Sequence, residues 1–395
     1  MKATLPLFFL VDACGWEILR QRPFLEELAP QRRKLESVFG FSSACVPSIV
    51  SGRWPADHRN WCYYVFDPER SPFKKLRALR WIPRALSSRR RVRRLLTRLV
   101  GRRFGFSGYF DLYNIPFQQI HLFDFTEKKS PLRPGGMNRG TNIFDFLESN
   151  HIDYFASDPD IPEPANFARL LAAIESEEID FAFSYWPSLD GLLHRVGNLS
   201  PEIAPCLQHY QDWIGRVCQA AARHYEEIQL YVFGDHGMAN CDELLDLKSK
   251  IDALPLRVPK DYAVVYDSTL ARFWFFNERA RNEITACLAG VPQGRVLADD
   301  ELKALGTFFP DRYFGELFFL AREGVLIVPS HMGERPLRAM HGYHPSDPHS
   351  YAALCSNREI PVSVTAIPHI FQLMTESALK AKTVNRPVPA CAGTL

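Results

Sequence analysis

Two stretches far apart in the chain each pair a carboxylate with an imidazole: Asp190-Gly-Leu-Leu-His194 and Gly234-Asp235-His236-Gly237-Met238. A third carboxylate, Asp12, ends the first apolar run, and a further histidine sits in Met340-His341-Gly342-Tyr343. Together these pieces offer six oxygen and nitrogen ligands of the kind that hold a hydrolytic metal ion. Taken singly, each has a plainer reading. An Asp at a strand end can cap the next helix, an Asp-His pair four apart can be a solvated helix pair, and a His beside Gly can be a turn residue. Their placement is more telling than their types. The three carboxylate-bearing pieces follow the apolar runs Leu5–Val11, Ile179–Trp186 and Ile228–Phe233. All three therefore fall at carboxyl ends of expected strands, the edge of an open α/β sheet where sites are built.

A nucleophile is available in Phe41-Ser42-Ser43-Ala44-Cys45-Val46-Pro47-Ser48-Ile49-Val50-Ser51-Gly52. With this segment in place, the order Asp12, Ser42, Asp190-x-x-x-His194, Asp235-His236-Gly237, His341-Gly342 resembles the alkaline phosphatase superfamily, most closely its type I phosphodiesterase/nucleotide pyrophosphatase branch. That pattern puts the nucleophile ten residues before the Gly of a Thr/Ser-Gly pair, which selects Ser42, with Ser43 the runner-up. Ser51-Gly52-Arg53-Trp54-Pro55 with His58 is similar to the family's Thr-Gly-x-x-Pro-x-x-His continuation. A sulfatase pattern fails, because Val46 stands where that branch needs Arg.

The resemblance implies that Asp190, His194 and His341 hold one metal, and that Asp12, Asp235 and His236 hold a second together with the Ser42 oxygen. It also implies in-line attack by Ser42 on phosphorus, charge neutralisation by both cations, and a phosphoseryl intermediate. Zinc fits the ligand chemistry, with manganese the alternative. A helix starting at Ser42 would aim backbone N–H groups, including that of Ser43, at the same anion, which places Ser43 in the substrate-binding set. The family's phosphoryl-holding Asn falls on Tyr63 by count, and Asn60 is the nearby candidate to replace it. Cys45 reads as a buried thiol rather than a rival nucleophile.

The elements that must position these groups follow from periodicity. A helix is expected over 142–147, a strand over 152–155, a helix over 166–175, and the longest helix over 201–225, with Ile203, Leu207, Tyr210, Ile214, Val217 and Ala221 on one face. Alternation of strand and helix predicts an alkaline-phosphatase-like α/β fold, with a mostly parallel central sheet flanked by helices on both faces and inserted lid or cap segments. The 395 residues read as a single catalytic domain, 1–395. Within it, 64–140 is expected as a basic insertion forming a lid. The strand-rich stretch 242–335, with runs at 262–266, 270–276 and 316–321, is expected as an inserted subdomain beside the site. Residues after about 383 read as a loose tail.

The formal net charge of +2 conceals an uneven distribution, because residues 74–103 carry thirteen Lys or Arg and no Asp or Glu. Trp81, Ile82, Leu86, Val92, Leu95, Leu96, Leu99 and Val100 interleave with these cations, and Pro83 divides the run. Three readings compete: a solvated helix covering the core, a basic helix on anionic lipid, and a nucleic-acid contact. Aromatic content is too thin for a strand-stacking platform, which disfavours nucleic acid. A basic lid suits a phosphate-rich or lipid-linked substrate. The run from Met1 to Gly15 is expected as a buried first strand rather than a signal peptide, since cleavage would discard Asp12 and the run is too short to span a bilayer. Nine cysteines without CxxC spacing describe neither a disulfide framework nor a zinc ribbon. A cytoplasmic protein is the expectation, with a peripheral position at the inner membrane face as the secondary reading.

The function expected is metal-dependent hydrolysis of a phosphodiester or pyrophosphate bond. A phosphomonoesterase using the same site is the alternative within the class. A silent, basic surface-binding protein is the alternative outside it, and intact buried ligands weigh against that, because buried Asp and His left without a partner are costly.

Overall fold

The computed structural model describes residues 1–82 and 89–385, apart from the side chains at 77, 79, 80 and 90. Pro83, Leu86 and the segment after Asn385 lie outside the described residues. A six-stranded sheet organises the molecule: β1 (Lys2–Val11), β2 (Gln31–Leu35), β3 (Tyr154–Ala156), β4 (Phe181–Trp186), β5 (Tyr225–Phe233) and β6 (Ala352–Ser356), in the order β2-β6-β5-β1-β4-β3. β5, β1, β4 and β3 run parallel, whereas β6 is antiparallel to both β5 and β2. The sheet is thus mixed, its parallel half carrying the strands that lead to the metal motifs.

β1 shows why the strand is central. Successive side chains alternate faces, and Phe8 and Leu10 enter one apolar cluster while Leu5, Leu7, Phe9 and Val11 enter the other. A strand buried on both faces must be covered on both, which gives a helix–sheet–helix sandwich. The first face is covered by α1 (Ser42–Ser51) and by α5 (Ile370–Asn385), and the second by the helix Glu163–Glu175, α3 (Ser188–Val196) and α4 (Ile203–Ala221).

The expected helix over 142–147 is Ile143–Ser149, capped by Asn142, whose side chain accepts from the N–H groups of Phe144 and Asp145. The longest expected helix is corrected at its end: α4 stops at Ala221, and Tyr225 opens β5 by pairing with Lys2. Helix α5 continues through Asn385, past the point where a loose tail was expected to begin.

Two segments are added to the sandwich and share the apolar cluster of its first face. Within 242–335, the strands Tyr262–Tyr266, Leu270–Phe275, Gly294–Val296 and Leu317–Ala321 form an antiparallel sheet with its own apolar cluster. Within 64–140, a hairpin-like pair (Tyr64–Phe66 with Phe123–Phe125) precedes and follows α2 (Arg90–Phe104). Arg272 joins the two segments. Fully buried, its guanidinium donates to the Asp267 carboxylate at 2.8 Å, to the Phe314 carbonyl at 3.1 Å and to the Tyr64 carbonyl at 2.8 Å. Replacing Arg272 with Leu strands a buried carboxylate, and a cost of about 3–5 kcal/mol is expected in urea denaturation. Pairing that change with Asp267→Leu should recover much of the loss; a double variant as unstable as the single one would contradict this account.

Candidate two-metal active site

Each group is delivered by the end of a strand or the turn after it. Asp12 follows β1, Asp235 and His236 follow β5, and Asp190 and His194 lie one turn apart on α3 just after β4. His341 follows a short strand, Ala339–Met340, which pairs antiparallel with Ala239–Asn240. The result is two triads, Asp190/His194/His341 and Asp12/Asp235/His236, in each of which the ligand atoms lie within 4.8 Å of one another. The imidazoles of His236 and His341 stack with centroids 3.8 Å apart, so the triads adjoin.

Within the first triad, Asp190 Oδ1 is 3.3 Å from His194 Nε2 and 3.6 Å from His341 Nε2. Within the second, His236 Nε2 is 3.4 Å from Asp12 Oδ1 and 3.2 Å from Asp235 Oδ2. Outer contacts fix which atoms face inward. His194 Nδ1 donates to the Ala339 carbonyl and His236 Nδ1 to that of Gly237, both at 2.9 Å, which leaves each Nε2 lone pair free for a metal. Asp235 Oδ1 accepts from the N–H groups of Ala13 and His236, and Asp12 Oδ2 accepts from the Tyr185 hydroxyl at 2.5 Å. The inward oxygens Asp12 Oδ1, Asp190 Oδ1 and Asp235 Oδ2 are buried with no hydrogen-bond partner, as is His341 Nδ1. Such orphans are rare in native interiors, and a divalent cation in each triad would satisfy the oxygens. The residues present therefore fit two metals.

Electrostatics point the same way. Burial, then the charges of Asp235 and Asp190, pushes the Asp12 carboxyl well up, and burial pushes Asp235 up to about 7. Burial also opposes the charge on Asp190, but its contact with His194 outweighs this and holds it below the usual carboxylate range. Burial and the neighbouring His236 push His341 well down.

Ser42 opens α1, and its Oγ lies 3.0 Å from His236 Nε2. Phe41, the residue before it, gives the helix no side-chain cap, and the first turn closes through Ala44 and Cys45 onto the Phe41 carbonyl. The N–H groups of Ser42 and Ser43 make no backbone hydrogen bond among the described residues. The hydroxyl of Ser43 is turned inward and donates to the Trp61 carbonyl, leaving only its backbone for a ligand. Asn60 is placed differently from expectation: buried, it accepts from Asn138 N–H at 3.0 Å and does not line the cavity over the triads. Tyr63 does line it. Cys45 is buried beside Ser37, with burial pushing its thiol well up, so it is no nucleophile.

Two glycines are explained by close approach. A Cβ on Gly237 would lie 2.2 Å from the His349 carbonyl oxygen, and one on Gly342, at φ +86°, would lie 2.6 Å from the Phe41 ring. The cavity itself, about 630 Å³, is walled by groups that sequence reasoning did not single out: Tyr185, Tyr109, Tyr113 and Glu127. Only Tyr185 had a signal, its place near the end of the strand that leads to Asp190.

The sequence matches the type I phosphodiesterase/nucleotide pyrophosphatase family over residues 7–344. The chain belongs to that family. It is therefore a hydrolase of the phosphodiesterase/nucleotide pyrophosphatase type within the alkaline phosphatase superfamily, a metal-dependent group whose candidate ligands the two triads supply. Among curated proteins none matches. Among solved structures, human ectonucleotide pyrophosphatase/phosphodiesterase 5 is similar at 16% identity and TM-score 0.65, over 96% of this chain and 95% of that one. The murine protein is similar at 15% and 0.64, over 100% and 98%. An inactive murine variant in complex with AMP gives 15% and 0.62, over 100% and 97%. At these identities the likeness is one of fold.

In this phosphodiesterase-family chain, Tyr185 is the outer support of Asp12. Tyr185→Phe removes that hydrogen bond, and divalent-metal affinity should fall about 10–100-fold in chelator competition. Unchanged affinity would reduce Tyr185 to a packing residue.

Proposed function

We propose that the protein hydrolyses a phosphodiester or pyrophosphate bond at a two-metal site, with Ser42 as nucleophile and a phosphoseryl intermediate. The observation that carries this reading is the position of Ser42 Oγ, 3.0 Å from His236 Nε2 at the start of α1, beside two triads with orphaned ligand atoms. Asp190, His194 and His341 would hold one ion; Asp12, Asp235 and His236 would hold the other. Zinc is the proposed metal, because mixed carboxylate and imidazole sets suit it, and manganese is the alternative. When bound, the ions supply charge neutralisation of the phosphoryl oxygens and lower the pKa of the Ser42 hydroxyl.

The chain does the rest. Ser42 Oγ forms a bond to phosphorus as the bond to the leaving oxygen breaks. The free N–H groups at the α1 start face the same anion, where fixed donors stabilise developing charge. Water then attacks the seryl phosphate, releases the phosphoryl product and restores the hydroxyl. Diesters are favoured over monoesters because no Lys or Arg lines the cavity to meet a phosphate dianion. Two features favour a monoesterase: the serine nucleophile, and Tyr63 where the family's phosphoryl-holding Asn would stand.

Initial rates on bis-p-nitrophenyl phosphate and p-nitrophenyl phosphate test this, with zinc and with manganese. The diester should be preferred, and Ser42→Ala should lower its rate by at least about 10³-fold while sparing metal content. A monoester preference would make the protein a phosphatase, and wild-type rates in the Ser42 variant would discard the mechanism.

A surface contact accompanies this reading. We infer that α2 rests on an anionic membrane surface, in keeping with a cytoplasmic protein peripheral to the inner face. Leu95 and Leu99 are 59% and 53% exposed, and Arg91, Arg94, Arg98 and Arg102, spaced at helical intervals beside them, are exposed as well. No ion pair engages these four arginines among the described residues, so their charge is open to lipid phosphates. Among those residues, no helix is long and apolar enough to cross a membrane. Binding to phosphatidylserine vesicles should fall about tenfold or more in Arg94→Glu/Arg98→Glu, given roughly 1 kcal/mol per basic residue at such a surface. Equal binding of wild type to neutral and anionic vesicles would remove the membrane contact.

A further inference from the structure

No Lys or Arg lines the cavity, so an anion seated over Ser42 meets only neutral donors of the chain: the N–H groups at the α1 start and side chains of the wall. Four tyrosines belong to that wall, Tyr63, Tyr109, Tyr113 and Tyr185. The Tyr185 hydroxyl is engaged by Asp12 Oδ2, and the Tyr109 and Tyr113 phenols interact with each other. The Tyr63 hydroxyl has no hydrogen-bond partner among the described residues.

Everything else in Tyr63 is fixed with respect to the nucleophile. Two residues before it, the Trp61 carbonyl accepts from the Ser43 hydroxyl, and the Trp61 indole N–H donates to the Phe39 carbonyl at 2.7 Å. The chain entering Tyr63 is thus bonded on both sides of Ser42. The Tyr63 carbonyl accepts from Thr126 N–H at 2.8 Å, and its ring stacks on Phe125 with centroids 5.6 Å apart and planes within 6°. Burial, then the charges of Glu127, Tyr109, Asp12 and Asp190, pushes the phenol's ionisation well up. It therefore stays protonated, a neutral donor in the field of a carboxylate from each triad. Such a donor has a use in phosphoryl transfer. As Ser42 Oγ adds and the leaving oxygen departs, charge is spread over the non-bridging oxygens, and donors already held in place stabilise it without reorganisation.

We propose that the Tyr63 hydroxyl donates a hydrogen bond to a non-bridging oxygen of the phosphoryl group during attack by Ser42, which makes Tyr63 a catalytic residue. The inference rests on the reading of Ser42 as nucleophile and adds a side-chain donor to the backbone donors at the α1 start. The proton stays on Tyr63 throughout.

Tyr63→Phe removes the hydroxyl and keeps the ring that stacks on Phe125. Its kcat on O-methyl O-(p-nitrophenyl) phosphate should fall about 100-fold, the scale of a lost oxyanion donor. The sharper comparison uses the two diastereomers of the corresponding phosphorothioate, in which sulfur, a poor acceptor, replaces one or the other non-bridging oxygen. For one diastereomer the oxygen-to-sulfur ratio of kcat/KM should shrink at least about fivefold in Tyr63→Phe, because the two changes remove the same contact; for the other it should hold within about twofold. Each ratio is taken within one preparation, so a smaller folded fraction of the variant cancels. A merely structural role moves all three substrates alike. Ratios that stay put, or move together for both diastereomers, overturn the proposal, as does a wild-type kcat in the variant. Orthovanadate binding to the zinc-loaded protein gives a readout without turnover: Kd should rise at least about tenfold in Tyr63→Phe, and an unchanged Kd overturns the donor. Absence of Ser42-dependent turnover of the oxygen parent in wild type would count against the nucleophile instead, and the vanadate titration would then decide Tyr63 by itself.

Discussion

Three carboxylates, those of Asp12, Asp190 and Asp235, converge in a buried cluster, and their mutual repulsion is the constraint around which the molecule is arranged. Burial alone would neutralise such groups by proton uptake. The directions of their shifts show the conflict: Asp12 and Asp235 are driven up while Asp190 is held down beside two imidazoles. What keeps the groups in place is the sheet. β1, β4 and β5 are adjacent and parallel, so their carboxyl ends share one edge, and a residue just past each end meets the others without any long-range reach. The same edge explains the glycines, because the turns there must pass within contact distance of one another.

That logic was legible in the sequence because it is local. Asp12, Asp190, His194, Asp235 and His236 each follow a run whose apolar pattern announces a strand, whereas His341 was legible only through its His-Gly motif. Ser42 needed a count along a motif, and the helix start that exposes its N–H groups follows from the absence of any side-chain cap at Phe41. The mixed character of the sheet was less legible. β6 carries no chemistry and is a short apolar run, which reads equally as parallel or antiparallel. Tyr225 misled the helix boundary because an aromatic residue suits both a helix face and the strand that in fact uses it.

The substrate side was illegible for a physical reason. Asn60 is close to Tyr63 in sequence, but the chain enters Asn60 from a left-handed Arg59, at φ +60°, and the Asn60 side chain is engaged by the Asn138 N–H rather than facing the cavity. Tyr109, Tyr113 and Glu127 come from a long insertion whose path is set by tertiary contacts, among them the Arg272 bonds and the Gly108 approach. No periodicity encodes such a wall.

Charge on this insertion is segregated by function. Its helix α2 is basic, and the chain leaves it at Phe104 for Ser107–Tyr109 in the cavity wall, with no Lys or Arg from 104 to 127 before Lys128 and Lys129 restore positive charge. The exposed arginines of α2 thus give the insertion a positive outer face, whereas the cavity is lined by no Lys or Arg. The insertion therefore builds the cavity wall, while the sheet edge carries the candidate ligands.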